Sequence, residues 1–173
     1  HLGSVADELC ILRSMTAFSP NHPNANYALH SGHVLSGRPS MGAWLTYGLG
    51  TENSSLPGFV VIHGGQVPSG GMQCFTSGFL PANYQGSTVL PGANPLFNVT
   101  PRERIGGLQS AKLKYINQID SRLMHANSHA PAIESAVQNY ELAYKMQSAV
   151  PEAVDLSKET AATRRMYGLE HRN

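Results

Sequence analysis

Short apolar runs separated by turn residues characterise the first third of the chain. Phe59–Ile62 is four consecutive apolar residues close to glycine on both sides, a pattern typical of a strand buried on both faces of a parallel sheet. Ala6–Arg13 ends in a second apolar run, which predicts a helix tail leading into a short buried strand at Cys10–Ser14. The front of the chain therefore reads as α/β.

Two helices are predicted between these strands. After a polar loop at Thr16–Pro23, the first helix runs from about Asn24 to His30, with Asn21 or Asn24 as N-cap and Gly32 at its end. Ser40 caps the second, Met41–Tyr47, which Gly48 or Gly50 closes. A strand, a loop and a helix in this order present side chains at the carboxyl end of a sheet in α/β enzymes.

The middle of the chain lacks a regular period. Residues 63–99 are rich in glycine and proline, and the region from Leu56 to Pro101 contains no Lys, Arg, Asp or Glu. Its recurring aromatic residues indicate an ordered, loop-rich, lid-like insertion that allows only short strands or turns.

Helical spacing dominates residues 100–168. Thr100–Glu103 forms a capping box, and the helix that follows continues to about Met124. A second helix begins near Pro131 and ends before Pro151, and a third, Leu156–Tyr167, is capped by Asp155 and stopped by Gly168. We expect one partial domain over residues 1–173, with an α/β sheet portion at 1–62, the insertion at 63–99 and a helical segment at 100–168.

Composition excludes some partners. With a net charge of +1 and a pI of about 8.0, the chain gives no reason to expect nucleic acid or an anionic membrane surface as a ligand. No apolar run is long enough for a membrane span. The first residue is His1 rather than Met, so we expect an internal piece of a longer reading frame. Cys10 and Cys74 could form a disulfide or remain two buried thiols.

Histidines invite the hypothesis of a metal site. His22, His30 and His33 lie close in sequence, but no carboxylate occurs between Glu8 and Glu52, and the whole chain has three Asp. Since catalytic sites for hard metals need several carboxylate ligands, we predict no metal site within this chain. There is also no Gly-x-Ser-x-Gly elbow and no P-loop, and Trp44 with Tyr47 is interpreted as core.

Three residues are the candidates for a site. His22 and Asn21 lie where a helix N-terminus favours an anion, and His22 is either catalytic or a loop histidine bonded to backbone. Arg38 follows Gly37 in a rigid turn and can bind a sulfate or phosphate through two nitrogens. Alternatively, Arg38 pairs with Glu52 or caps carbonyl groups.

Several motifs occur together in one order. They are Gly37–Trp44, Tyr47–Asn53, Leu56–Val61, Ser77–Ala82 with Tyr84–Gly86, and Tyr140–Gln147 with Val150–Glu152. Over essentially the whole chain they resemble the bacterial family called domain of unknown function fifteen-oh-one, sulfatase-like members of the alkaline phosphatase superfamily.

The resemblance implies a partial α/β/α sandwich from an exported protein, periplasmic or extracellular. It also implies a divalent metal ion, zinc or calcium, whose ligand motifs lie outside this chain. His22 takes the place of the sulfatase nucleophile, and Ser31-Gly32 that of a closing Thr-Gly. Family members commonly have a second histidine where this chain has Asn26.

Two functions follow from the residues and the resemblance together. In the first, the chain is part of a metal-dependent sulfatase-like or phosphatase-like ester hydrolase, with His22, Asn21 and Arg38 in an anion-binding cleft, and is inactive by itself. In the second, it belongs to a non-catalytic relative that binds a sulfated or phosphorylated glycan or scaffolds surface proteins. The expected ligand is a small anionic ester or a sulfated glycan.

Overall fold

The computed structural model describes residues 2–62, 64–90, 96, 107–126 and 131–169. Its helices and strands are α1 (His22–Ser31), α2 (Met41–Leu49), β1 (Val60–Ile62), β2 (Ser87–Val89), α3 (Leu108–Ala126), α4 (Pro131–Ala153) and α5 (Ala161–Met166). Short 3-10 segments occur at Leu2–Glu8, Gly71–Phe75, Ala82–Tyr84 and Leu156–Lys158. At the coarse level this is the predicted α/β chain with a helical final third. None of the helices in the described ranges has the length and apolar character that crossing a membrane requires.

A small parallel sheet connects the front of the chain with its middle. β1 and β2 pair in parallel, with Val61 opposite Thr88. The predicted strand and its parallel pairing are confirmed, but its burial on both faces is wrong, because Val60 is 45% and Ile62 79% exposed. The ring of Phe59 packs against α2, where it occupies the space that a side chain at Gly42 would need. One face of the sheet is therefore covered and the other is open.

The ends of α1 and α2 follow from local chemistry. The Asn21 side chain accepts a hydrogen bond from the backbone N–H of Asn24 at 3.5 Å, and Gly32 ends α1 with a φ of 74°. α2 begins after Ser40 and ends at Gly50, whose N–H donates to the carbonyl of Thr46 at 3.0 Å. Both predicted helices and their stop signals are confirmed.

The predicted strand at Cys10–Ser14 is wrong. After the 3-10 segment, residues 9–12 have no helix or strand and residues 13–14 form a turn. Ile11 and Leu12 are 67% and 68% exposed. The segment has no strand neighbour in the described part of the chain, and an apolar run becomes a strand only when another strand pairs with it.

Two helices, α3 and α4, form the helical end of the chain. The hydroxyl of Tyr140 on α4 shares its single hydrogen between two acceptors on α3, Asp120 and, at 3.1 Å, Asn117. The Nδ2 atom of Asn117 in turn donates to Glu141 at 3.5 Å. This part-buried polar network joins the two helices. Removing one of its side chains would leave another polar group, away from water, without a hydrogen bond.

Proline and threonine change the predicted ends of the later helices. α4 continues through Pro151 to Ala153, because a proline in the last turn removes only one donor and Val154 still donates to Val150 at 3.0 Å. Asp155 caps only the short 3-10 segment Leu156–Lys158, and Thr160 starts α5 as a separate helix. The predicted capping box at Thr100–Glu103 lies outside the described residues.

Candidate anion-binding site

The turn Gly37–Ser40 has a fixed backbone. Pro39 and Ser40 are buried, and the N–H and hydroxyl of Ser40 both donate to the carbonyl of Thr76, at 3.0 and 3.2 Å. Gly78, two residues further along, lies so close that a Cβ there would be 2.5 Å from the Arg38 carbonyl carbon and 2.8 Å from the Gly37 oxygen. The turn is therefore held between α2 and the chain at 76–78.

The side chain of Arg38 extends from this fixed turn into solvent. It has no ion pair or hydrogen bond with any other residue that the structure describes, so the alternative pairing with Glu52 is not formed. A guanidinium keeps its charge at all physiological pH values and offers a planar set of donors. Arg38 is thus a cation without a partner in the described part of the chain, carried by a closely packed turn.

Asn21 and His22 lie together at the N-terminal end of α1, both exposed. The Asn21 oxygen is used for the helix cap, which leaves its amide NH₂ for a ligand. The imidazole of His22 has no hydrogen-bond partner in the described ranges, while the His22 carbonyl accepts from Asn26 at 2.8 Å. The alternative of a histidine bonded to backbone through its ring is therefore not observed.

The first turn of α1 is tied to the same loop region that holds Arg38. The Asn26 amide also donates to the hydroxyl of Ser69 at 2.8 Å, and Gly70 packs against Tyr27. Residues 69–78 thus contact both α1 and the Arg38 turn. No hydrogen bond or ion pair between described residues joins Arg38 to Asn21 or His22, so the site consists of two separately anchored parts.

The three neighbouring histidines do not converge. The ring of His30 contacts Phe75 edge-on at 5.2 Å, and burial lowers the pKa of His30. His33 accepts a hydrogen bond from the N–H of Leu35 at 3.1 Å. Within the described residues no group of three His, Cys, Asp or Glu side chains could hold a metal ion. The donors present there do not fit a divalent metal.

Sequence reasoning missed a row of aromatic rings next to the Arg38 turn, of which Trp44, Tyr47 and Phe79 are exposed and Tyr84 is partly buried. Trp44 contacts Phe79 at 5.8 Å and Tyr47 at 6.2 Å, and Tyr47 contacts Tyr84 at 5.2 Å, all edge-on. Trp44 is 46% exposed, so its interpretation as core is wrong. The recurrence of aromatic residues in the uncharged middle region was the available signal. We call these four residues the aromatic row.

The two cysteines are free thiols in different surroundings. Cys10 is exposed and Cys74 is buried, and burial raises the pKa of Cys74. Both predicted alternatives, a disulfide and two buried thiols, are therefore wrong.

Comparison with known families settles the wider relationship. A family model described as protein of unknown function (DUF1501) matches residues 1–173. The chain belongs to the DUF1501 family. No curated protein and no solved structure matches it. The resemblance seen in the motifs of this DUF1501 chain is confirmed at the level of the family, while the sulfatase-like branch of the alkaline phosphatase superfamily stays a prediction.

Proposed function

We propose that this DUF1501 chain forms one wall of the anion-binding cleft of a sulfatase-like ester hydrolase with an α/β/α sandwich of the alkaline phosphatase type. The observation that carries the proposal is Arg38, a charged side chain without an ion-pair or hydrogen-bond partner among the described residues, on a backbone turn that packs closely against residues 76–78. A cation positioned in advance binds an anion at a smaller entropic cost than one on a mobile loop.

Each candidate residue has a role in this proposal. Arg38 donates two hydrogen bonds to the oxygens of a sulfate or phosphate ester. His22, at the end of α1 where the helix dipole favours negative charge, acts on the ester as catalytic group. The Asn21 amide donates a further hydrogen bond to the ester oxygens. The ligand is a small anionic ester or the ester group of a sulfated glycan.

Zinc or calcium, which the superfamily resemblance implies, would be bound by ligand motifs that the same resemblance places outside this chain. Among the described residues no group of three His, Cys, Asp or Glu side chains could hold such an ion. When bound, such an ion would polarise the ester as a Lewis acid. The 173-residue chain by itself is then inactive, and the protein works in the periplasm or outside the cell.

The first experiment measures binding of inorganic sulfate and phosphate to the protein by calorimetry. A charge-assisted hydrogen bond contributes about 1.5–3 kcal/mol, so Arg38→Met should weaken binding at least about tenfold, and Arg38→Lys less. Arg164→Met removes an exposed arginine from α5 and should change nothing. Unchanged sulfate affinity in Arg38→Met would refute the anion site.

The second experiment measures turnover of aryl sulfate and aryl phosphate, with and without added metal. In the full-length protein, which would contain the proposed metal ligands, His22→Ala should abolish turnover while leaving sulfate affinity within about threefold. If turnover is unchanged in His22→Ala, His22 has no part in the mechanism. Metal-dependent turnover by the isolated 173-residue chain would contradict the proposed division of the site.

The aromatic row favours a second candidate, a non-catalytic relative that binds a sulfated glycan. Phe79 follows Gly78, which packs on the Arg38 turn, so exposed rings continue from the cation along α2. Aromatic faces offer large amphipathic contact area to the C–H faces of sugars. Tight binding of a sulfated oligosaccharide, lost in Trp44→Ala and without turnover under any metal, would select this function.

A further inference from the structure

A groove of about 560 Å³ lies between the C-terminal end of α1 and one face of α2. α1 contributes residues 28–32, and α2 contributes Met41, Trp44, Leu45, Gly48 and Leu49. These five recur at the spacing of three and four positions that places side chains on one face of a helix. Binding sites for small organic molecules range from about 300 to 1,000 Å³. The groove therefore has the size of such a site.

The apolar side chains of the groove are exposed, although α2 is packed elsewhere. Four of the residues that line the groove are more than half exposed, namely Leu29, Met41, Leu45 and Leu49. Away from the groove, Ala43 is fully buried and the ring of Phe59 packs against Gly42. The open apolar surface is therefore not used in holding α2 to the described part of the fold.

The lining of the groove is uncharged. None of the residues that form it is Lys, Arg, Asp or Glu. The one titratable side chain among them, that of His30, is neutral near pH 7, because burial lowers its pKa from the ordinary value. A charged group that entered the groove would lose its hydration without gaining a partner. The part of a ligand that binds here is therefore uncharged.

The Arg38 turn leads directly to the start of the groove. Met41, which lines the groove at the first position of α2, comes three positions after Arg38. Three residues of chain span at most about 11 Å. One small molecule can thus place an uncharged part in the groove and an anionic group toward the guanidinium of Arg38.

We propose that the groove binds the aromatic ring of an aryl sulfate or aryl phosphate whose anionic group is bound by Arg38. The inference rests on the proposed anion site and names the organic part of its ester. An aromatic ring suits the groove because Trp44 offers it an edge-to-face or offset-stacked contact, and Met41 offers a polarisable apolar one. The distribution of charge also matches, with an uncharged ring in an uncharged groove and an anion beside a cation.

A comparison of phenyl sulfate with methyl sulfate tests the proposal, because the two share the anion and differ in the ring. Calorimetry on the protein should give phenyl sulfate an affinity at least about tenfold higher, since burial of the ring removes apolar surface from water. Trp44 is the only tryptophan of the chain, so its fluorescence reports directly on the groove. Phenyl sulfate should change the Trp44 emission and methyl sulfate should not. Equal affinities for the two sulfates would overturn the proposal.

Gly48→Leu fills the groove without removing a side chain from it. Nothing lies within 4 Å of a Cβ at this position, and leucine favours a helix more than glycine does, so α2 is retained. The variant should lower the ratio of phenyl sulfate affinity to methyl sulfate affinity from at least about tenfold to about one. Ala111→Leu, which adds a larger side chain at an exposed position of α3, is the matched control and should keep the wild-type ratio. A ratio that Gly48→Leu leaves unchanged contradicts the proposal.

The groove and the anion site fail separately in these measurements. Arg38→Met should weaken the binding of both sulfates and keep the ratio of their affinities. An unchanged methyl sulfate affinity in Arg38→Met refutes the anion site and, with it, the placement of the ester, whereas a wild-type ratio of about one refutes the groove alone. Sedimentation equilibrium tests the other occupant: a dimer that Gly48→Leu dissociates would show that a second copy of the chain covers the groove, and would overturn the proposal.

Discussion

Replacing Gly78 by alanine is expected to destabilise the protein and to release Arg38 from its fixed position. The new Cβ would lie 2.5 Å from the carbonyl carbon of Arg38, 2.5 Å from the nitrogen of Pro39 and 2.8 Å from the oxygen of Gly37. These are backbone atoms of a turn held by Ser40, so they cannot rotate away as a flexible side chain would. The clash must move one of the two chain segments.

The magnitude has two parts. Gly78 has a φ of 57°, a left-handed conformation that costs a residue with a Cβ about 1–2 kcal/mol. Forcing extra atoms into a packed site costs a further ~1–3 kcal/mol. We therefore expect Gly78→Ala to lower the free energy of unfolding by about 2–5 kcal/mol, measured by urea titration with circular dichroism. Sulfate affinity should fall with it, because the turn that carries Arg38 moves.

Gly37→Ala separates the conformational cost from the cost of close packing. Gly37 also has a positive φ, 92°, but nothing lies within 4 Å of its would-be Cβ. Its replacement should therefore cost only the conformational part, and the two variants should differ by about 2 kcal/mol, or about 4–8 °C in melting temperature. Equal destabilisation by the two substitutions would refute the close packing of the Arg38 turn against residue 78.

Three further predictions concern the packing around this site and between the helices. Burial and a hydrogen bond to Asp120 raise the pKa of Tyr140 to about 12. Its stabilising contribution should be complete below the unfolded value of about 10 and disappear as the pH rises from there to about 12, as followed by tyrosinate absorbance. Tyr140→Phe should lower the free energy of unfolding, measured by urea titration, by about 1 kcal/mol. Tyr115→Phe, at an exposed position, should leave it unchanged, and equal effects of the two substitutions would contradict the network. Asn26→Ala removes two hydrogen bonds of 2.8 Å and should lower the free energy of unfolding by about 1–3 kcal/mol. A decrease of less than about 0.5 kcal/mol would show that Asn26 does not hold α1 in place. A thiol reagent should modify the exposed Cys10 of the native protein quickly and Cys74 only after denaturation, and equal rates would refute the burial of Cys74.

The sequence predicted best those features that depend on neighbouring residues. Asn21, Gly32 and Gly50 define helix ends through contacts within four positions, and the structure places α1 and α2 accordingly. Such contacts need no knowledge of the rest of the fold. The separate start of α5 at Thr160 is equally local, and its threonine followed by alanines was the signal that the longer predicted helix overlooked.

Features that depend on distant partners were predicted less well. The apolar run at Cys10–Ser14 has strand composition, but composition does not supply the neighbouring strand. The half-exposed Trp44 was interpreted as core for the same reason, since its surroundings are set by Phe79 in a loop far along the chain. At the candidate site, the sequence identified Arg38 and its rigid turn. It did not identify Gly78, because the importance of this glycine comes from its close contact with the backbone of that turn.

The hydrogen bonds from Ser40 to Thr76 join residues 36 positions apart, so the chain between them begins and ends at one point. That point is also where Arg38 is held. Because the cost of closing a loop grows only slowly with its length, exposed parts of this segment, such as the neighbourhood of Ser54, can lengthen or shorten without moving the cation. A reporter peptide inserted near Ser54 should therefore leave the position of the Arg38 turn unchanged.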